Sequence, residues 1–87
     1  MKRKFFFRRN LARVLLKLGQ DYGRPTPLGT RVEMKLSQRD LSKLVASSRE
    51  SVNKQLRAWR ETGVVDLEDG LLVLRRPAEL KRLIDVR

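Results

Sequence analysis

Apolar positions along this chain recur with two different periods, and the alternation between them divides it into elements. Leu11, Val14, Leu15 and Leu18 fall at i, i+3, i+4 and i+7 with Arg13 and Lys17 between them, the stripe of an amphipathic helix. That helix starts either at Asn10, acting as its cap, or earlier through Phe5, Phe6 and Phe7. Gly19 lies near its end, and Gly19 to Gly29, punctuated by Gly23, Pro25 and Pro27, reads as turn. From Thr30 to Leu36 the period shortens to two. Val32, Met34 and Leu36 alternate with Arg31, Glu33 and Lys35, which predicts a short half-buried strand.

The helical period then returns twice in close succession. Ser37 and Asp40 have the capping-box spacing, and Leu36 and Leu41 have the spacing of a hydrophobic staple. Leu41, Leu44 and Val45 form the inward stripe of the helix they open. Ala46 and Ser47 make a turn, and Ser48 is a good N-cap for the next helix. There Val52, Leu56 and Trp59 face inward, while Arg49, Glu50, Asn53, Lys54 and Arg57 spread over the outward half. Small Ser42 and Ala46 stand where two steeply crossing helices must approach closely. Residues 37–62 are therefore a helix-turn-helix. Gly63 is placed to end the second helix in a left-handed cap. Val64 to Leu67 and Leu71 to Leu74 flank Asp69-Gly70, a strong hairpin signal. Pro77 opens a last short helix in which Leu80, Leu83 and Ile84 can pack.

The predicted fold class is mainly α with a small β-hairpin wing, a winged helix-turn-helix. Residues 1–10 form a basic, aromatic N-terminal segment and 11–87 the domain, with the helix-turn-helix at 37–62 and the wing at 64–74.

Composition sharpens the picture. The chain has 87 residues with a net charge of +11. By segment the charge is +5 over residues 1–10, +3 over 11–36, +3 over 37–62 and zero over 63–87. Such a field attracts a polyanion, and the side that meets it should come from the first two-thirds of the chain. With no Cys there is no disulfide or thiolate metal site, and with no His the commonest general base and metal ligand is missing. No nucleophile–base pair is visible, so the expectation is a non-enzyme with no metal and no cofactor. The Phe run is interrupted by Arg8, Arg9, Arg13 and Lys17, which a signal peptide does not tolerate. The expected location is cytoplasmic.

The run Leu36 to Val65, and within it Ser48-Arg49-Glu50-Ser51-Val52, resembles the DNA-binding domain of the Crp–Fnr family of bacterial transcription regulators. The likeness extends more loosely from Leu11 to Leu74. It implies a winged helix that binds a two-fold-symmetric operator as a dimer, with Arg49 and Glu50 reading bases in the major groove. The basic family residue four positions after the Glu, which contacts DNA, falls here on Lys54. Two departures stand out. The family usually has Gly at the turn where this chain has Ala46, and it carries an effector-binding barrel and a long dimerisation helix upstream.

The chemistry of the residues leads the same way. A guanidinium can pair both acceptors of guanine, and a carboxylate can accept from cytosine N4. Glu50 repels phosphate, so it either meets a base-edge donor or forms an i, i+4 salt bridge to Lys54. Arg49, Glu50 and Lys54 are the expected base contacts. Ser37, Gln38, Arg39, Ser48, Asn53, Arg57 and Arg60 are the expected backbone contacts, with Ser37 and Ser48 serving mainly as caps. Trp59 belongs to the core by its register with Val52 and Leu56. The acidic wing tip, Glu68 and Asp69, is expected to close the core rather than grip phosphate.

The expected partner is duplex DNA, with no membrane. A homodimer could form through Phe5–Phe7 or an upstream helix, and contact with RNA polymerase stays open. Three other readings remain: a winged helix used for protein contact, a truncated regulator that binds DNA non-specifically, and a membrane-active segment at Phe5–Leu18.

Overall fold

The computed structural model of the chain describes residues 2–85, with side chains from Phe6 onward. Helix α1 spans Lys2–Tyr22, so it takes the earlier of the two expected starts. It also runs through Gly19 to Tyr22, where the sequence reads as turn. Gly19 lies inside the helix with the Leu74 side chain against it, where a Cβ would stand 2.7 Å from Leu74 Cδ1. Leu11, Leu15 and Leu18 are buried as the stripe requires, together with Ala12. Phe7 packs on this core, Phe6 is half exposed, and the Phe5 side chain falls outside the described positions.

Strand β1 (Gly23–Pro25) and strand β2 (Thr30–Val32) pair antiparallel, with Arg24 opposite Arg31. The turn joining them is closed by Thr26, whose N–H donates to the Gly29 carbonyl at 2.8 Å and whose hydroxyl donates to the same oxygen at 2.7 Å. No alternating pattern marks 23–25 in the sequence, because β1 has only three residues, all exposed. Gly23 is required there by close approach, since any Cβ would run into the Gly19 carbonyl. β2 stops at Val32 rather than continuing to Leu36. Met34, off the strand, is 40% exposed.

Helix α2 (Gln38–Leu44) and helix α3 (Arg49–Glu61) form the helix-turn-helix. Strands β3 (Val65–Glu68) and β4 (Leu71–Leu74) form the wing around Asp69 and Gly70, whose φ angles of 55° and 78° give the two-residue hairpin turn. β4 also pairs with β2, so the sheet has four strands in the order β1-β2-β4-β3. The expected strand and hairpin are thus one continuous sheet. Helix α4 (Pro77–Asp85) lays Leu80, fully buried, against α1.

Two expectations for α2 fail. Leu44 is 56% exposed, because the inner face of α2 runs through Leu41, Ser42 and the capping residue Val45, which leaves Leu44 on the flank. Ser42 is buried between the helices, its hydroxyl donating to the Arg39 carbonyl at 2.7 Å. Ala46 is not at a close approach: it is exposed in the turn.

Candidate nucleic-acid interface

The site begins with how α2 and α3 are started and stopped. Ser37 is a complete capping box: its Oγ accepts from the Asp40 N–H at 3.0 Å, and the Asp40 carboxylate accepts from the Ser37 N–H at 3.0 Å. Those bonds hold the Asp40 carboxyl below the usual carboxylate range, the backbone N–H of Ser37 contributing most. Ser48 caps α3 through Ser51, whose N–H donates to its Oγ at 3.1 Å. Both helices end in the same way. The Ser47 N–H reaches the Ser42 carbonyl at 2.9 Å and Ala46 N–H the Lys43 carbonyl at 3.4 Å; Val64 N–H reaches Trp59 at 2.8 Å and Gly63 N–H reaches Arg60 at 3.2 Å. These are two Schellman motifs, with the left-handed position filled by Ala46 (φ 51°) in one and Gly63 (φ 78°) in the other.

Between those caps α3 is fixed by Val52, Leu56 and Trp59, all buried. Trp59 is 8% exposed and belongs to the core, not to a stacking surface. The opposite face carries Arg49, Glu50, Lys54 and Arg57, all exposed, and none forms an ion pair among the described residues. The Glu50–Lys54 salt bridge that would explain Glu50 without DNA is not made. The condition on which a groove-entering helix depends, that Arg49 and Glu50 stand clear of their own subunit, is met.

The expected backbone contacts divide into four groups. Gln38 and Arg39, on the first turn of α2, are exposed, and Gln38 Nε2 donates to Asn53 Oδ1 on α3 at 3.0 Å. That bond ties the two helices together and orients Asn53, which is half-buried. Ser37 and Ser48 are committed to their caps. Arg60 leans toward the wing, its Nε 4.0 Å from Asp66 Oδ1, and Arg75 approaches the same carboxylate at 3.9 Å. Arg57 is left with no partner inside the described chain.

The wing is braced from β2. Arg31, with 23% of its side chain exposed, donates to Glu68 at 3.0 Å and through two nitrogens to Glu33 at 3.0 and 3.1 Å. Its guanidinium holds the Glu33 carboxyl below the ordinary range. The sequence reading missed Arg8. It lies one turn before Leu11, in line with the buried stripe of α1, and it shares a cleft with Phe7, Ser51, Lys54 and Gln55 on α3. Extending the stripe three residues back from Leu11 places it there. Among the described residues no cluster of acidic side chains could hold a metal ion, and no helix is long and apolar enough to cross a membrane.

Comparison with known proteins agrees with this geometry. Residues 10–83 match the model of the Crp-like helix-turn-helix domain. The chain is 35% identical over 63 residues to the anaerobic regulatory protein of Bacillus subtilis (strain 168), covering 71% of this chain and 26% of that one. It is 29% identical over 72 residues to the global nitrogen regulator of Synechocystis sp. (strain ATCC 27184 / PCC 6803 / Kazusa), covering 83% and 32%. A CRP-family transcriptional regulator from Thermus thermophilus superposes with a TM-score of 0.81 at 28% identity, over 92% of this chain and 40% of that chain. The chain therefore spans between about a quarter and a third of the curated relatives it matches. The winged helix-turn-helix architecture and the resemblance carried by Ser48 to Val52 are both borne out: the chain belongs to the Crp-like helix-turn-helix family of DNA-binding transcription-regulator domains.

Proposed function

We propose that this domain binds duplex DNA in a sequence-dependent way as part of transcription regulation, with α3 entering the major groove and no catalysis. The observation that carries the reading is the outward strip of α3. Three cations and one carboxylate stand on a helix held at both ends, unpaired with each other and uncovered by the rest of the described chain. Arg49 takes the two acceptors of a guanine, Glu50 accepts from a cytosine amine, and Lys54 reaches a further base edge. Arg39, Arg57 and the N–H groups of Gln38 and Asn53 meet phosphates on either side, with Arg60 at the wing end and the capped helix starts at Ser37 and Ser48 facing the backbone.

A dimer on a palindromic site would set two copies of α3 about 34–36 Å apart. A cytoplasmic location, and contact with RNA polymerase once on the operator, complete the reading.

The test is a panel of duplexes selected from a randomised pool, measured at several salt concentrations. Each phosphate neutralised contributes about −0.9 to the log–log salt slope. Arg49→Ala should cost about 1–3 kcal/mol on the selected duplex and flatten the preference, while Arg57→Ala should weaken all duplexes alike. If both substitutions lower affinity equally on every sequence, Arg49 does not read a base.

A further inference from the structure

Between α2, α3 and the wing lies a groove of about 360 Å³, within the size range of small-molecule sites. Buried Leu41 and Leu56 reach it from the core, and half-buried Leu36 and Leu72 continue the apolar surface outward. At its outer edges stand Met34 and Leu67, 40% and 47% exposed, two of the large apolar side chains the fold leaves most open. The polar lining has one sign. Arg57 and Arg60 border the groove with the amides of Gln38 and Asn53, and no carboxylate lines it. Two acids of the adjoining wing are already engaged, Asp66 by Arg60 and Arg75, and Glu68 by Arg31.

An apolar trough with cations and amide donors at its rim is complementary to a molecule that is apolar at one end and anionic at the other. A phosphodiester passing the rim would satisfy Arg57 but leave Met34 and Leu67 in water. The geometry points to a second ligand site in this groove, for a small amphipathic carboxylate whose chain lies against Met34, Leu36, Leu67 and Leu72 and whose carboxylate pairs with Arg57. Because Arg57 is also assigned to a DNA phosphate, such a ligand competes with DNA for it. Occupancy of the groove lowers affinity for any duplex. This second step rests on the DNA-binding reading above; the binding of the carboxylate itself does not.

The probes are octanoate, acetate (the charge without the chain) and octanol (the chain without the charge). Each is titrated into the DNA-free domain and followed by amide chemical shifts. Octanoate should saturate with shifts centred on Leu36, Leu67 and Leu72, and bind at least roughly tenfold more tightly than either control. The neutral double substitution Met34→Gln with Leu67→Gln should weaken octanoate binding by about tenfold or more, with duplex affinity in the absence of octanoate unchanged. In the wild type octanoate should raise the apparent dissociation constant for duplex, and in the double variant it should not.

Equal binding of acetate and octanoate, absence of saturation, or shifts centred on the cleft between Phe7 and Lys54 would overturn the site. Saturable groove binding with no effect on duplex affinity would overturn the competition. Failure of the domain to bind DNA at all would show in the ligand-free duplex measurement and leave the octanoate result intact.

Discussion

The turn of the helix-turn-helix holds a non-glycine residue where the same chain, 17 positions later, uses glycine in the same motif. Ala46 and Gly63 each occupy the left-handed position of a Schellman motif, at φ 51° and 78°. A Cβ in that conformation costs roughly 1–2 kcal/mol. Replacing Ala by Gly removes the strain but loosens the unfolded chain, a loss of about 0.4–1 kcal/mol. Ala46 is exposed, so little packing is lost with its methyl. Ala46→Gly should therefore stabilise the domain by about 0.5–1 kcal/mol, or roughly 2–8 °C in Tm for a chain of this size. Gly63→Ala is the mirror experiment. A Cβ built there meets nothing within 4 Å, so its cost is backbone strain alone. It should destabilise by a similar amount, and the double variant should return near the wild type. Urea unfolding followed by Trp59 fluorescence reads all three, with an unchanged m-value as the check on two-state behaviour. If Ala46→Gly lowers stability while Gly63→Ala also lowers it, the turn at Ala46 is not strained and the reasoning fails.

Ser37→Ala should cost about 1 kcal/mol in urea unfolding by leaving an α2 amide uncapped. Asp40 titrates below its ordinary range in the folded domain, so its contribution is present at neutral pH and is lost as pH falls through that depressed value; Asp40→Asn should flatten this part of the acid limb of the stability profile. Gly23→Ala should destabilise by about 1–3 kcal/mol in thermal melts, because the new methyl meets the Gly19 carbonyl, which is backbone and cannot step aside. Asp66→Asn should release Arg60 and raise affinity for every duplex alike with no change in sequence preference; a change in preference would place Arg60 on a base.

Elements whose own residues carry their signals were legible from the sequence. The capping box at Ser37, the stripe Val52-Leu56-Trp59, the Gly63 cap and the Asp69-Gly70 turn are all local patterns, and each sits where the spacing puts it. What failed depends on distant partners. Gly19 lies within α1 with Leu74 of β4 against it, and β1 is a strand only because β2 is there to pair with it. Leu44 has the spacing of a buried position, but the inner face of α2 runs through Leu41, Ser42 and Val45. The candidate site divides along the same line. Which side of α3 faces outward follows from its apolar register. That Gln38 fastens Asn53, that Arg8 and Lys54 line one cleft, and that Met34 and Leu67 line one groove with Arg57 are facts about elements brought together by folding.

The wing shows why segment charge is a poor guide to local field. Residues 63–87 are neutral in sum, and the acids near the recognition helix suggest a surface that pushes phosphate away. In the fold two of those acids are paired, while Asp69 at the wing tip is exposed and forms no ion pair among the described residues. Glu68 accepts from Arg31 of the neighbouring strand, and Asp66 stands between Arg60 and Arg75. Exposed pairs of this kind add little to stability. Their effect is on the field: each paired carboxylate is screened by a cation a few ångströms away, so beyond a Debye length of about 8 Å these pairs contribute little to it. The unpaired charge that remains on this side belongs to Asp69 at the wing tip and to Arg49, Lys54 and Arg57 on α3. On the DNA-binding reading proposed above, a polyanion approaching this face meets the three cations of α3 first, and Glu50, the carboxylate left unpaired within that strip, is the residue assigned to discriminate among sequences.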